Sequence, residues 1–242
     1  MKKKMIALLL AGTICLSLTA CGQGSVSTAQ DSNFEKKALN IIEEPGAGAD
    51  NGSEQEEYDQ IEVPDSITNI SPEDDQALTG TLTEDAYTND YFGIKINKID
   101  GGTIESLMDS GKDLTPLSET YVRGVGGIYI NSTGPAGEGS ISAIVSALLS
   151  DQEGKTEEDL ARDRYDLEQS LNGATGYDAE CAVEKITVAG EEHTAYIEVS
   201  NDEDSRTKSA AIYMVKGDFQ CSITVYAPED QFEDRLKLIE KY

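Results

Sequence analysis

The sequence has no tryptophan, a single histidine and four cysteines in 242 residues, and only 19 Lys+Arg stand against 46 Asp+Glu. Each shortage excludes something. With His193 the only histidine, any Ser–His–Asp or Cys–His device must use it. It opens an expected strand in phase with Ala195, Ile197 and Val199, which turns it toward the packed face or its rim and suits a structural role. No Gly-x-Ser-x-Gly elbow occurs, since Gly137-Glu138-Gly139-Ser140 precedes a strand rather than following one. The same run has the wrong glycine order for a dinucleotide loop. Cys181, Cys221 and His193 are the only soft metal ligands of the folded part, and none stands at C-x₂-C spacing. Neither a cofactor nor a metal site is therefore expected. The formal net charge of −27 repels nucleic acid and gives no grip on an anionic lipid surface. Hydrophobic residues make up 38 %, low enough that part of the chain is expected to pack nothing.

What is present begins with an address. Lys2, Lys3 and Lys4 form a basic region, and Met5 to Leu18 an apolar one shorter than the ~20 residues that span a bilayer. Residues 1–20 read as a signal peptide. The run Leu18-Thr19-Ala20-Cys21 resembles the lipobox of bacterial lipoproteins. That resemblance implies diacylglyceryl transfer to the Cys21 thiol, cleavage between Ala20 and Cys21, and often acylation of the new amino group. Two or three acyl chains exceed the threshold for stable anchoring. The lipid bilayer is thus the first expected partner, reached through acylated Cys21, on the extracytoplasmic face of the cell membrane.

From Gly22 to about Asp85 the chain is rich in Gly, Ser, Asp, Glu, Gln and Asn, with no Lys or Arg between Lys37 and Lys95. Such a stretch buries too little apolar area to offset its ordering entropy, so residues 21–85 read as a lipidated cysteine and a disordered acidic tether. Roughly 64 residues give a typical reach of roughly 40–50 Å. One segment differs: Phe34, Leu39, Ile41 and Ile42 outline a short helix lying near the lipid.

Residues 86–242 read as one α+β domain, an antiparallel β-sheet with helices packed on it. Tyr91 to Asn97 alternates from Phe92 onward as a strand. Thr103 to Asp109 suggests a short helix and Tyr121 to Asn131 a glycine-interrupted strand; Ser140 to Ser150 is apolar, fits strand or helix, and is read as a strand. Thr156 is a good N-cap for a helix with Leu160, Tyr165, Leu167 and Leu171 on one side and Gly173 as its stop. Four strands follow at about 180–188, 193–200, 209–215 and 218–226. A last helix places Phe232, Leu236 and Ile239 on one face.

The opening Tyr-Phe-Gly-Ile-Lys-Ile strand, the long helix before a four-strand meander, and the closing Asp-Phe-Gln-Cys-Ser-Ile-Thr-Val strand with its helix resemble small bacterial lipoproteins with a PsbP-like α/β/α sandwich. The resemblance implies a binding or assembly scaffold rather than a known reaction. If the four strands pair in order, Cys181 and Cys221 lie about three 4.8 Å steps apart, too far for a disulfide. Another strand order would bring them together, and an oxidising exterior would then favour the bond. Arg123, with Tyr121 and Tyr129 in phase, reads either as a ligand patch or as strand packing that needs the neighbouring glycines.

Three function classes remain. The leading one is a non-enzymatic, membrane-anchored extracytoplasmic lipoprotein whose domain binds a protein partner or a small ligand. The alternatives are a carboxylate-dependent hydrolase acting on an envelope or extracellular substrate, and a structural subunit of an envelope complex.

Overall fold

The computed structural model describes residues 63–175, 179–202 and 205–242. The chain divides between Glu56 and Glu57, and every described residue belongs to Glu57–Tyr242. The expected signal peptide, Cys21, the helix around Phe34 and the tether as far as residue 62 lie outside the described residues.

Residues 63–85, expected as part of the tether, are folded. Residues 65–82 form α1 (Asp65–Thr68), α2 (Pro72–Thr79) and β1 (Thr81–Leu82). Ser71 caps α2 by accepting from the Asp74 amide at 3.1 Å, and Pro72 occupies the first helical position, where a missing N–H costs nothing. Gly80 ends the helix at φ +73°, and a Cβ there would meet the Thr88 carbonyl at 2.4 Å. Ile67, Leu78 and Leu82 are all buried. Three apolar anchors suffice, and an average over an acidic stretch conceals them.

β2 (Ala86–Asn89) and β3 (Ile94–Asn97) follow as a hairpin. Thr103–Ser106 is a strand, β4, not the expected helix; Ile104 and Ser106 point inward with period two, and the strand pairs along β5. The expected strand 121–131 is also corrected. Leu117–Val122 is helix α3, and only Ile128–Thr133 is strand, β5. The helix wins because it is capped from far away: Asp75 of α2 accepts from the Ser118 amide and hydroxyl, and Thr79 from the Leu117 amide. β6 (Ser140–Ala147) is the strand, rather than helix, expected for 140–150, three residues shorter, and its burial alternates strictly.

α4 (Glu157–Thr175) opens on the expected cap. Thr156 Oγ1 accepts from the Asp159 amide while the Asp159 carboxylate accepts from the Thr156 amide. It runs past Gly173, which was expected to close it. Then come β7 (Ala179–Val188), β8 (Glu191–Asp202), β9 (Ser205–Lys216) and β10 (Phe219–Pro228). The expected last helix is broken into a 3₁₀ turn (Glu229–Gln231), α5 (Phe232–Leu236) and a strand, β11 (Ile239–Lys241). Ile239 is buried, but as a strand residue opposite Ile96.

Two antiparallel sheets result, one ordered β1-β2-β3-β11 and the other β4-β5-β6-β10-β9-β8-β7. Ile141, Ala143, Val145, Ala195, Ile197, Ile212, Cys221, Ile223 and Val225 line one face of the larger sheet and share a core with Tyr87, Ile94, Ile96, Leu117 and Phe232. The other face carries α4 across β7, β8 and β9. The fold is α+β: antiparallel sheets with helices packed on both sides.

Candidate functional site: an acidic, aromatic cleft

Cys21 lies outside the described residues, and the domain residues weighed from sequence do not assemble into a site. Cys181 and Cys221 are free thiols on β7 and β10, with β8 and β9 between them, so the in-order pairing holds and no disulfide forms. Burial pushes the Cys221 thiol up to about 12, which leaves it inert. Arg123 is not on a strand. It ends α3 and binds Glu119 and Thr115, while the Tyr121 hydroxyl accepts from the Ala147 amide at 2.8 Å. His193 is buried in the phase expected, with the Glu157 carboxylate on its Nδ1. Among the described residues no group of three or more His, Cys, Asp or Glu is placed to hold a metal ion.

A different set of residues does converge. An open cleft of about 280 Å³ is lined by Ser66, Asn69, Asp74, Tyr91, Asp218 and Phe219. Three elements build it. Ser71 donates to the Asp74 carboxylate at 2.8 Å, which fixes that acid on the first turn of α2. Asn89, fully buried, holds the turn after β2. Its Nδ2 donates to the Leu78 carbonyl at 2.7 Å and its Oδ1 accepts from the Phe92 amide at 3.0 Å, so Tyr91 is carried outward on a fixed loop. Gly217, at φ +60°, opens the two-residue hairpin that places Asp218 beside Phe219.

The two walls are tied directly. The Tyr91 hydroxyl donates to the Lys216 carbonyl at 3.1 Å, and the Lys216 ammonium donates back to the Tyr91 carbonyl at 2.7 Å. The same ammonium stands 4.7 Å from the centre of the Tyr91 ring, and Tyr91 meets Phe219 edge to face at 5.6 Å. Partial burial, followed by the charges of Asp74 and Asp218, raises the Tyr91 pKa, so both carboxylates act on this ring. Among the described residues Asp218 forms no ion pair. Sequence reading missed the cleft because its parts lie in the supposed tether, a turn and a hairpin tip. The one local signal was Tyr91 beside Asn89-Asp90, which by itself spells only a turn.

No family model matches the sequence, and neither does any curated protein. Some solved structures do. Cyanobacterial PsbP (CyanoP) from Synechocystis is 16% identical, over 68% of this chain and 94% of that one, with a TM-score of 0.38. LpqN, involved in cell envelope biogenesis of Mycobacterium tuberculosis, is 16% identical over 61% and 82%, with a TM-score of 0.31. A protein from Bacteroides thetaiotaomicron is 8% identical over 66% of this chain and 49% of its own length, with a TM-score of 0.32. This chain is thus similar to a PsbP and to an envelope protein, at a level that says nothing about what the cleft holds.

Proposed function

We propose that this chain is a lipoprotein held on the extracytoplasmic face of the cell membrane through acylated Cys21, and that its α+β domain is a non-enzymatic module binding a basic protein partner. The cleft carries this reading. Two carboxylates and two aromatic rings around one opening suit a lysine or arginine side chain, which gains Coulomb attraction and a ring face together. At about 280 Å³ the cleft lies at the lower edge of the ~300–1,000 Å³ of small-molecule sites, so one side chain fits better than a whole metabolite. Lys216 over Tyr91 is the same pairing made internally. The net charge of −27 draws basic partners from a distance.

Two measurements test it. Replacing Cys21 by Ala in the full chain should move the protein from the membrane fraction to the soluble one; retention there would remove the anchor. For the cleft, calorimetry follows a capped Lys/Arg hexapeptide binding to the mature chain. Asp74→Asn with Asp218→Asn should weaken it about 5- to 10-fold, the range of two partly exposed charge contacts. The charge-matched pair Asp151→Asn with Glu153→Gln should change it less than about twofold. Equal losses in the two double variants would mean general acidity and no site.

A further inference from the structure

The larger sheet is not continuous at one end. β8 pairs with β7 from Glu191 onward, but its ladder with β9 starts only at Ala195↔Ile212. β9 meanwhile continues to Lys216, paired with Phe219. Residues 191–194 and 213–216 therefore part, and His193 stands in the opening with its side chain 7% exposed. Glu157, from the first turn of α4, reaches the ring there. Both its carboxylate oxygens lie 3.2 Å from Nδ1. The opposite nitrogen, Nε2, is buried and has no hydrogen-bond partner among the described residues. The ring borders a cavity of about 70 Å³ whose lining includes Phe92, Ile94, Ala189 and Met214. At its rim Glu191 and Lys241 pair at 2.9 Å, joining β8 to β11. Ala189 in the adjoining hairpin has φ +53°, the one left-handed non-glycine residue among those described, a conformation costing about 1–2 kcal/mol.

We infer that Glu157 and His193 form a proton-operated clasp closing the split end of the sheet, with a water molecule entering the cavity as acceptor for Nε2–H. In the neutral ring Nδ1–H donates to Glu157 and Nε2 is an idle acceptor. Taking a proton from solvent makes Nε2 a donor and turns the Glu157 contact into a charge-assisted bond. A water needs roughly 10–15 Å³ of such space, so the cavity has room. The groups facing the ring are Glu157 from α4, Glu191 on its own strand and Lys241 from β11. β7 contributes Ile186, the turn before β3 Gly93, β3 Ile94, and β9 Met214, all uncharged. Two carboxylates against one ammonium favour the imidazolium.

The hydrogen bond to Glu157, aided by its charge and that of Glu191 and opposed by burial, raises the His193 pKa above 6.5. A raised value means that the stabilisation is fully present below about 6.5 and fades as pH climbs through the folded-state pKa. The clasp is closed in acid and loosens toward alkali. With one histidine in the chain, the imidazole titration of the mature full-length protein can be followed by NMR without assignment ambiguity. The midpoint should lie above 6.5, and Glu157→Gln should lower it by at least about half a unit. Amide exchange, corrected for intrinsic rate, should be about tenfold slower at residues 157–160 and 189–194 at pH 5.5 than at pH 8.5, and His193→Gln should abolish that difference. A midpoint at or below 6.5 that Glu157→Gln leaves unmoved would overturn the clasp. So would the same pH dependence of exchange in His193→Gln.

Discussion

The two faces of the seven-stranded sheet are built from opposite materials. Toward the smaller sheet, β10 and β6 present Cys221, Ile223, Val225, Ile141 and Val145, every one of them fully buried and none charged. Toward α4, β7 and β8 of the same sheet carry Cys181, Tyr196 and Glu198, and the helix answers with Glu168 and Arg164, paired at 2.7 Å. The Tyr196 hydroxyl donates to Glu198 at 2.6 Å and lies 3.2 Å from the Cys181 sulfur. An apolar face gains stability in proportion to area and tolerates little loss of volume. A polar layer contributes less net energy per contact, but it rewards one placement of the helix and penalises the rest. The core face sets how stable the domain is, and the α4 face sets where its helix lies.

Three substitutions probe that contrast, in falling order of effect. Ile223→Ala opens a void in the shared core and should cost about 2–5 kcal/mol in chemical denaturation. Tyr196→Phe removes one hydroxyl from the polar layer and should cost about 1–2 kcal/mol, with looser exchange along α4 as the added sign. If the second loss equalled the first, the division of labour between the faces would fail. Glu168→Gln should have the smallest neutral-pH effect of the three, at most about 1 kcal/mol because the amide oxygen can still accept from Arg164, and its main effect is on pH dependence. Burial, reinforced by Glu198 and opposed by Arg164, raises the Glu168 pKa above 4.5. A carboxyl raised in the folded state stabilises below that value and loses its contribution as pH rises through the folded pKa. The wild type should therefore lose stability between about pH 4.5 and neutrality by a margin that the glutamine variant lacks, as thermal melts across that range would record.

The apolar face was legible in the sequence and the polar one was not. The strand expected at about 218–226 is β10, the period-two alternation of Phe219, Cys221, Ile223 and Val225 gives its buried side, and the free thiols follow from the strand order. The α4 stripe was read from Leu160, Tyr165, Leu167 and Leu171, yet its buried positions include Ala161 and Glu168. A buried carboxylate is invisible to a hydrophobicity pattern unless its partner is known. The same reason hid the segment 63–85. Asp75 reads as one more acid in a solvated run, yet it accepts hydrogen bonds from a residue 43 positions away. Of the cleft, the sequence placed Tyr91 and Phe219 at strand starts but did not bring them together, because Asp74 and Asp218 meet them through tertiary folding alone.

The pairing of β3 with β11 bears on how such a chain can be made. Asn97 donates both its backbone and its side-chain N–H to the carbonyl of Leu238, 141 residues away. At about 5–20 residues per second, synthesis needs roughly 7–28 s to deliver that partner, and until then the edge of the smaller sheet, with Ile94 and Ile96 beside it, stays unpaired. The consecutive hairpins β7 to β10 can zip as they emerge, but the smaller sheet waits. That interval, with a sticky, half-made edge, is the period when a holding chaperone matters most.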